Sequence, residues 1–416
     1  MKVLLVSQYF WPENFRVNDL VRELVGRGHS VSVLTGKPNY PAGKVFDEFK
    51  LSPSAFDSYC GAPIYRVPML ARGTGSLRLM LNYLSFAIGS TAFGSLCLIG
   101  QRFDIVFVYE PSPVTVGLPA VFIARLKRAP IVFWVQDLWP ETLEALDVVR
   151  SRRVLGAVGF LVRFIYNRCA LILGQSRGFV SSISNYCSDH RKIRYFPNWA
   201  EESILSSEVA AAPEMPVEVD TFTVLFAGNV GDAQDFPAIL DAAESLKFNR
   251  AVRWVVVGDG QKSDWLRQEV VRRNLESCFS LLGRFPFERM PSFYAKADAL
   301  LVSLRKAPVF ALTVPSKVQS YLMAGIPLLG MLDGEGAAVI SEANAGLVCP
   351  AGDSAGLAQA VLELMAMPQE ERARLGVNGR SYAQREFGRE MLIDRLEAWF
   401  TELAESNEWR QAAVNK

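Results

Sequence analysis

What most constrains this chain is a repeated unit: a short apolar run, then a polar or glycine-bearing loop, then an amphipathic stretch. Residues 3–7 form the first run, which reads as a strand buried on both faces. The loop 8–16 leads into a stretch with Val17, Leu20, Val21, Leu24 and Val25 at i, i+3, i+4, i+7 and i+8, which predicts a helix with one buried side. Gly26 and Gly28 stand where that helix should end, and residues 30–35 read as the next strand. Strand–helix–strand on this scale requires a parallel pair with a right-handed crossover. Runs at 105–109, 131–135, 171–174 and 192–196 continue the series. A second series follows at 223–227, 254–257, 279–282, 299–302, 326–330 and 346–350.

The 416 residues are enough for two domains or more at roughly 150 residues each. Residues 201–220, rich in Glu, Ala and Pro, read as a linker between a first α/β domain (1–200) and a second (221–390). The amphipathic stretch 391–410, with Leu392, Leu396, Trp399 and Phe400, is free to pack back on the first domain.

Net charge is +1, so nucleic acid has no electrostatic support as a partner. Six cysteines without a CxxC pair, and only two histidines, give no zinc pattern and suit a reducing cytosol. The opening residues read as a strand rather than a signal peptide. Residues 79–100 carry no charge and are about long enough to cross a bilayer, so a buried helix, a membrane-dipping helix and a span all fit. Residues 152–168 are apolar with arginine punctuation, which suits either a core helix with snorkelling arginines or a surface facing anionic lipid.

Ligands of parallel sheets bind beyond the carboxyl ends of the strands. In the first series that edge offers Glu13, Asn14, Arg16 and Asn18, then Asn39 and Tyr40, then Glu110, then Asp137 and Glu141. In the second it offers a succession of glycine loops. Gly228, Asn229, Gly231 and Gln234 come first, then Gly258 and Asp259, then Gly283 before Arg284, Phe285 and Pro286. Within 313–330, Pro315 biases Val314 to extended backbone, Ser316 is placed to cap a short helix, and Gly325 closes it. Lys317 adds a full positive charge at that helix N-terminus, a setting suited to an anion. Gly336 and Ala337 open another helix.

Taken in order, several of these features resemble the GT-B glycosyltransferases of family 4. They are Gly28–His29, Pro197–Asn198, Gly228 to Gly231, Gly258 to Gly260, Gly283–Arg284, Pro315 to Lys317, Ala324 to Pro327, and Gly346 to Pro350. The opening 9–18 and the loop 228–234 resemble more narrowly the bacterial O-antigen and capsule enzymes of the N-acetyl-fucosaminyltransferase type. The resemblance implies an α/β GT-B fold, two Rossmann-like domains facing a central cleft. It implies a retaining transfer from a UDP-sugar to a lipid-linked saccharide, carried out in the cytoplasm at the inner face of the membrane. Arg284 and the backbone of Phe285 and Pro286 would meet the base. The Gly228–Gly231 loop, Ser316, Lys317 and the Gly336–Ala337 amides would hold the diphosphate, with Gly258 and Asp259 also on the donor side. Glu342 falls at an acidic position of the family, Asp137 would lie near the sugar, and the first-domain loops would contact the acceptor. Lys317, Arg284 and Asp137 would carry the chemistry, with no metal and no other cofactor.

The chain departs from that pattern in places. Asn229 and Gln234 stand where many relatives have Arg and Lys, and Ser320 falls at the second acid of a paired-glutamate motif. Two rival functions share the fold: a UDP-sugar 2-epimerase and a non-catalytic scaffold. No GxGxxG follows the first strand, against a dehydrogenase.

Overall fold

A computed structural model describes residues 1–73, 75–145, 148–200, 210–216 and 220–406. The chain divides into two compact units, one of residues 1–197 with 390–416 and one of residues 198–389. The first holds β1 (Lys2–Val6), β2 (Ser30–Thr35), β3 (Ser58–Tyr59), β4 (Ala62–Arg66), β5 (Ile105–Glu110), β6 (Ile131–Val135), β7 (Leu171–Gly174) and β8 (Ile193–Tyr195). Their order across the sheet is β3-β4-β2-β1-β5-β6-β7-β8. All pairs are parallel except the β3–β4 hairpin. The second unit holds β9 (Phe222–Ala227), β10 (Val252–Val257), β11 (Phe279–Gly283), β12 (Ala299–Ser303), β13 (Leu328–Met331) and β14 (Gly346–Cys349), in the order β11-β10-β9-β12-β13-β14. That is the doubly wound order of a dinucleotide-binding fold. Strand order reverses beside β1 in one unit and beside β9 in the other.

The apolar runs form strands because both faces are covered by helices. Every residue of β5, β6 and β12 is buried. The crossovers also sort the helices. Connections from β4 to β5, β5 to β6 and β6 to β7 all run one way along the sheet. Right-handed crossovers therefore place Ser76–Gly89, Gly117–Lys127 and Arg152–Tyr166 on one face, opposite Arg16–Gly26.

The helix Arg389–Glu405 packs on the first unit. Leu392, Ile393, Leu396 and Phe400 are fully buried, and Phe400 meets Phe107 edge-on with ring centres 5.9 Å apart. Arg27 binds Glu390, Asp394 and Glu397 together, and Arg194 forks onto Glu402 at 3.0 Å while lying over Trp399. Residues 407–410 of the sequence-predicted stretch lie outside the described residues.

Three sequence expectations need correction. Residues 58–66, with Pro63 inside a short apolar run, are not expected as strands, yet β4 pairs in parallel with β2 and antiparallel with the two-residue edge strand β3. Residues 210–216, within the expected linker, are docked on the second unit. Ala212 and Met215 are buried there, Ala212 N–H donates to Ser292 C=O, and Glu214 pairs with Arg289. Residues 201–209 and 217–219 of that linker lie outside the described residues. Ser316 is the first helical residue rather than the cap, and its hydroxyl caps nothing. Pro315 stands outside the helix in extended backbone, where its missing N–H costs nothing.

Candidate functional site

In the second unit the site begins at the end of β9. Gly228 leaves the strand with φ +136° and its N–H bonds to Val257 C=O. A Cβ at Gly258 would lie 1.8 Å from Gly228 O, and one at Gly260 would lie 2.3 Å from Val230 O. The loops after β9 and β10 thus lie backbone against backbone, a contact only glycine allows. The first loop closes on itself. Gln234 Oε1 accepts from Gly231 N–H at 3.2 Å and from Asn229 Nδ2 at 3.4 Å. From the end of β12, Ser303 Oγ donates to Gln234 C=O and Arg305 N–H donates to Ala233 C=O.

Above this loop stands the helix Ser316–Ala324, closed by Gly325 in the left-handed region. Lys317 and Tyr321 are one turn apart on it, so they cover the same strip of sheet. The Tyr321 hydroxyl accepts from Ala227 N–H and donates to Ala227 C=O, pinning the helix to the end of β9. Lys317 Nζ lies 3.4 Å from the centre of the Phe226 ring. It is buried and has no hydrogen-bond partner among the described residues. A Cβ at Gly228 would come within 2.5 Å of Lys317 Cε, so the missing side chain there is the lysine's berth. Burial pulls the ammonium down to about 7. A buried cation with no counter-ion, at a helix N-terminus and beside a glycine loop, is a group prepared for an anion.

The other residues singled out from the sequence fall as follows. Gly336 sits 3.0 Å from Pro315 Cδ by its absent Cβ, which sets the start of Glu335–Glu342, with Ala337, beside the start of Ser316–Ala324. Exposed Asp259 bonds Gly260 N–H and is held below the ordinary carboxylate range, first by Ser263 and in smaller part by Arg284. Arg284 and Pro286 are exposed after β11, while the Phe285 ring packs on Phe293 with centres 4.7 Å apart. Ser320 is buried one turn along from Lys317. Glu342 is not brought to this group: it lies at the far end of its helix and accepts from the Tyr382 hydroxyl. Sequence reasoning missed Arg305, whose backbone braces the glycine loop and whose guanidinium lies over Phe310. The adjacent bases Arg305 and Lys306 just after a buried strand were the available signal.

In the first unit the strand ends gather carboxylates. Glu110 is fully buried at the end of β5. Burial first, then the charge of Asp137, holds it well above the carboxylate range, offset in part by the Asp137 and Gln136 amides. Asp137 follows β6, takes a 2.6 Å hydrogen bond from Thr142 Oγ1 and is pushed up to about 6 by burial. Burial thus disfavours the charged form of both acids, and the charge of Asp137 adds to this at Glu110. Nearby, Tyr83 reaches Ser112 Oγ at 3.5 Å and meets the Trp139 ring edge-on. Gln8 donates to Asn82 Oδ1 at 2.7 Å.

The remaining acceptor-side candidates form a structural knot. Glu13 accepts from the N–H groups of Phe10, Asn39 and Tyr40, and burial still pushes it up to about 7. Asn18 ties Glu13 C=O to Trp11 N–H. Asn39 is fully buried, and Tyr40 packs on Tyr9 and Phe15. Asn14 is exposed, and Arg16 opens its helix within electrostatic reach of Tyr109. Among the described residues no three His, Cys, Asp or Glu side chains gather as a metal cluster.

Comparison with known proteins agrees with this layout. Residues 14–199 match a glycosyl transferase 4-like domain, and residues 221–367 match the glycosyl transferases group 1 domain. The colanic acid biosynthesis glycosyl transferase WcaI of Escherichia coli (strain K12) is 22% identical over 349 residues, 78% of this chain and 82% of that one. Anabaena HepE, solved with UDP-glucose, superposes with a TM-score of 0.69 at 14% identity, over 97% of this chain and 100% of that one. WaaG, a glycosyltransferase involved in lipopolysaccharide biosynthesis, does so at 0.64 and 14%, over 98% and 100%. With both halves matched to transferase domains and the whole chain to these structures, the protein is a glycosyltransferase of family 4 with the GT-B fold.

Proposed function

We propose that this enzyme transfers a sugar, with retention, from a UDP-sugar to a lipid-linked saccharide during O-antigen or capsule polysaccharide synthesis. The observation that carries the donor half is Lys317, a buried ammonium without a counter-ion beside the Gly228 loop and a helix N-terminus. A diphosphate leaving group would supply the missing charge, and the lysine would stabilise it as the glycosidic bond breaks. Arg284 would assist near the nucleotide, with Ser316 and the Gly336–Ala337 amides on the phosphates. HepE, a structural relative solved with UDP-glucose, supports a uridine nucleotide as donor. A phosphate oxygen of the donor would take the acceptor's proton, so no protein nucleophile is assigned. Glu110 would contact the acceptor, and Asp137 would lie near the sugar.

The narrower likeness points to an N-acetyl amino-deoxyhexose such as N-acetylfucosamine as the sugar. WcaI and WaaG, both named for bacterial surface polysaccharides, support a lipid-linked acceptor at the cytoplasmic face of the membrane. The reading assigns no metal: Lys317, Arg284 and backbone amides carry the counter-charge. Incubation with UDP-sugars, with and without a membrane extract, tests the proposal. UDP release that depends on the extract supports transfer. Epimerised donor without extract would support the epimerase instead, and no turnover in either case would reject catalysis on UDP-sugars.

A further inference from the structure

On one face of the first unit the helices carry only basic charge. Its three helices pack side by side in the order Ser76–Gly89, Gly117–Lys127 and Arg152–Tyr166. The first continues through a π-helical turn, Ser90–Gly94, to Cys97. None of the three contains Asp or Glu, while Arg78, Arg125, Lys127, Arg152, Arg153 and Arg163 lie on them. Glu141 and Glu144, ahead of the third helix, belong to the short helix Glu141–Ala145 that follows β6. In a chain with nearly equal acid and base, this segregation gives one face a positive field.

The same face exposes large apolar side chains. Leu84, Ile88 and Leu96 are exposed on the first helix, Ile88 by 69%. Phe122 and Leu126 are exposed on the second, and Phe160 on the third by 74%. Polar groups on the first helix do not need water. Ser85, Thr91 and Ser95 each donate to the helix's own C=O groups at 2.9, 2.7 and 2.6 Å.

By length and composition the stretch Arg78–Cys97 is apolar enough to cross a bilayer. Its other side is committed to the protein. Phe86 and Ser90 are fully buried, a Cβ at Gly94 would lie 2.8 Å from Leu34, and Asn82 bonds both Leu70 C=O and Gln8. A helix tied down in this way lies along a surface rather than through it.

We infer that these three helices form a docking face for an anionic lipid bilayer, with the apolar side chains entering one leaflet and the arginines meeting headgroups. This deepens the reading above, on which it rests for the lipid-linked acceptor. Asn82 and Tyr83 project from the docked helix onto Gln8 and Ser112. The candidate acceptor carboxylates therefore lie about one helix diameter, roughly 10 Å, from the lipid.

The test is flotation of the full chain with phosphatidylglycerol–phosphatidylcholine vesicles and with phosphatidylcholine vesicles alone. The comparison variants are Ile88→Glu with Leu96→Glu, and Arg152→Glu with Arg153→Glu. All four positions are exposed, and thermal unfolding checks that each variant is folded. Wild type should bind the anionic vesicles and lose most binding at high salt. Each double variant should weaken binding about tenfold or more. Three results would overturn the inference: no binding by wild type, equal binding by the variants, or a concentration-dependent dimer that the variants dissolve. UDP binding is measured on the same samples and should be unchanged by all four substitutions. Loss of vesicle binding alone then leaves the donor reading standing, and absence of UDP binding alone leaves the docking face standing.

Discussion

Lys317 holds its Nζ 3.4 Å from the centre of the Phe226 ring, in a berth that exists because residue 228 has no side chain. Ring and lysine come from a strand and a helix far apart in sequence. Burial without a counter-ion is why the ammonium titrates near 7 rather than near 10.5. When a diphosphate arrives, the lysine regains its proton. UDP affinity should therefore fall as pH rises above about 7, by up to tenfold per pH unit. Calorimetric titrations at several pH values check this, and a flat profile with tight binding would rule it out.

The same group makes a stability prediction with a definite sign. The folded protein binds fewer protons at Lys317 than the unfolded chain between pH 7 and pH 10.5. Stability of the free protein should rise with pH across that window, by up to about 1.4 kcal/mol per pH unit. Lys317→Met should remove this slope. Chemical denaturation of both proteins at pH 7 and pH 9 reads the difference.

Gly258 and Gly156 make a matched pair of tests. Ala at 258 would need φ +150° and would place its methyl 1.8 Å from Gly228 O. It should cost about 3 kcal/mol or more and weaken UDP binding with it. Gly156 lies inside a helix, and a methyl added there would meet nothing within 4 Å. Ala at 156 should therefore be neutral or stabilise by about 0.5–1 kcal/mol. Denaturant midpoints of the two variants settle the comparison.

Much of this arrangement was legible in the sequence and some of it was not. Doubly buried strands announce themselves as unbroken apolar runs, and β5, β6 and β12 do so. Lys317 was legible because proline, serine and lysine before an apolar helix mark a helix start. Its burial over Phe226 was not, since the ring lies on a strand far upstream in the chain. Glu13, Asn18 and Asn39 had the look of ligand groups at a strand end. They instead satisfy one another's backbone, a role only the tertiary path of two loops reveals. The strand Ala62–Arg66 was hidden by Pro63 and by pairing with β2 on one side only among the parallel strands.

Burial disfavours the charged form of Glu110, and an amide of the same shape has no charge to bury. Glu110→Gln should stay within about 1 kcal/mol of wild type at pH 7, whereas Glu110→Ala should lose about 2–3 kcal/mol to the cavity. Because the folded-state value is raised, the carboxyl favours folding most below its ordinary range, and that gain fades as pH rises. Glu110→Gln should flatten that part of the pH–stability curve, read by thermal unfolding between pH 4 and pH 8.

Arg27 gathers three carboxylates from Arg389–Glu405 and fastens that helix to the first unit. Arg27→Ala leaves Glu390, Asp394 and Glu397 facing one another and should cost about 1–2 kcal/mol at low salt. The deficit should shrink in 1 M salt, where the Debye length is about 3 Å. A deficit independent of salt would assign the loss to packing of the arginine stem.

The most direct measurement is titration of UDP into wild type and Lys317→Ala at pH 7, with unfolding curves to show that both are folded. The lysine should account for on the order of a hundredfold in affinity, and the variant should lose turnover by a similar factor. Equal UDP affinity in the two folded proteins would contradict the assignment of the pyrophosphate to this berth.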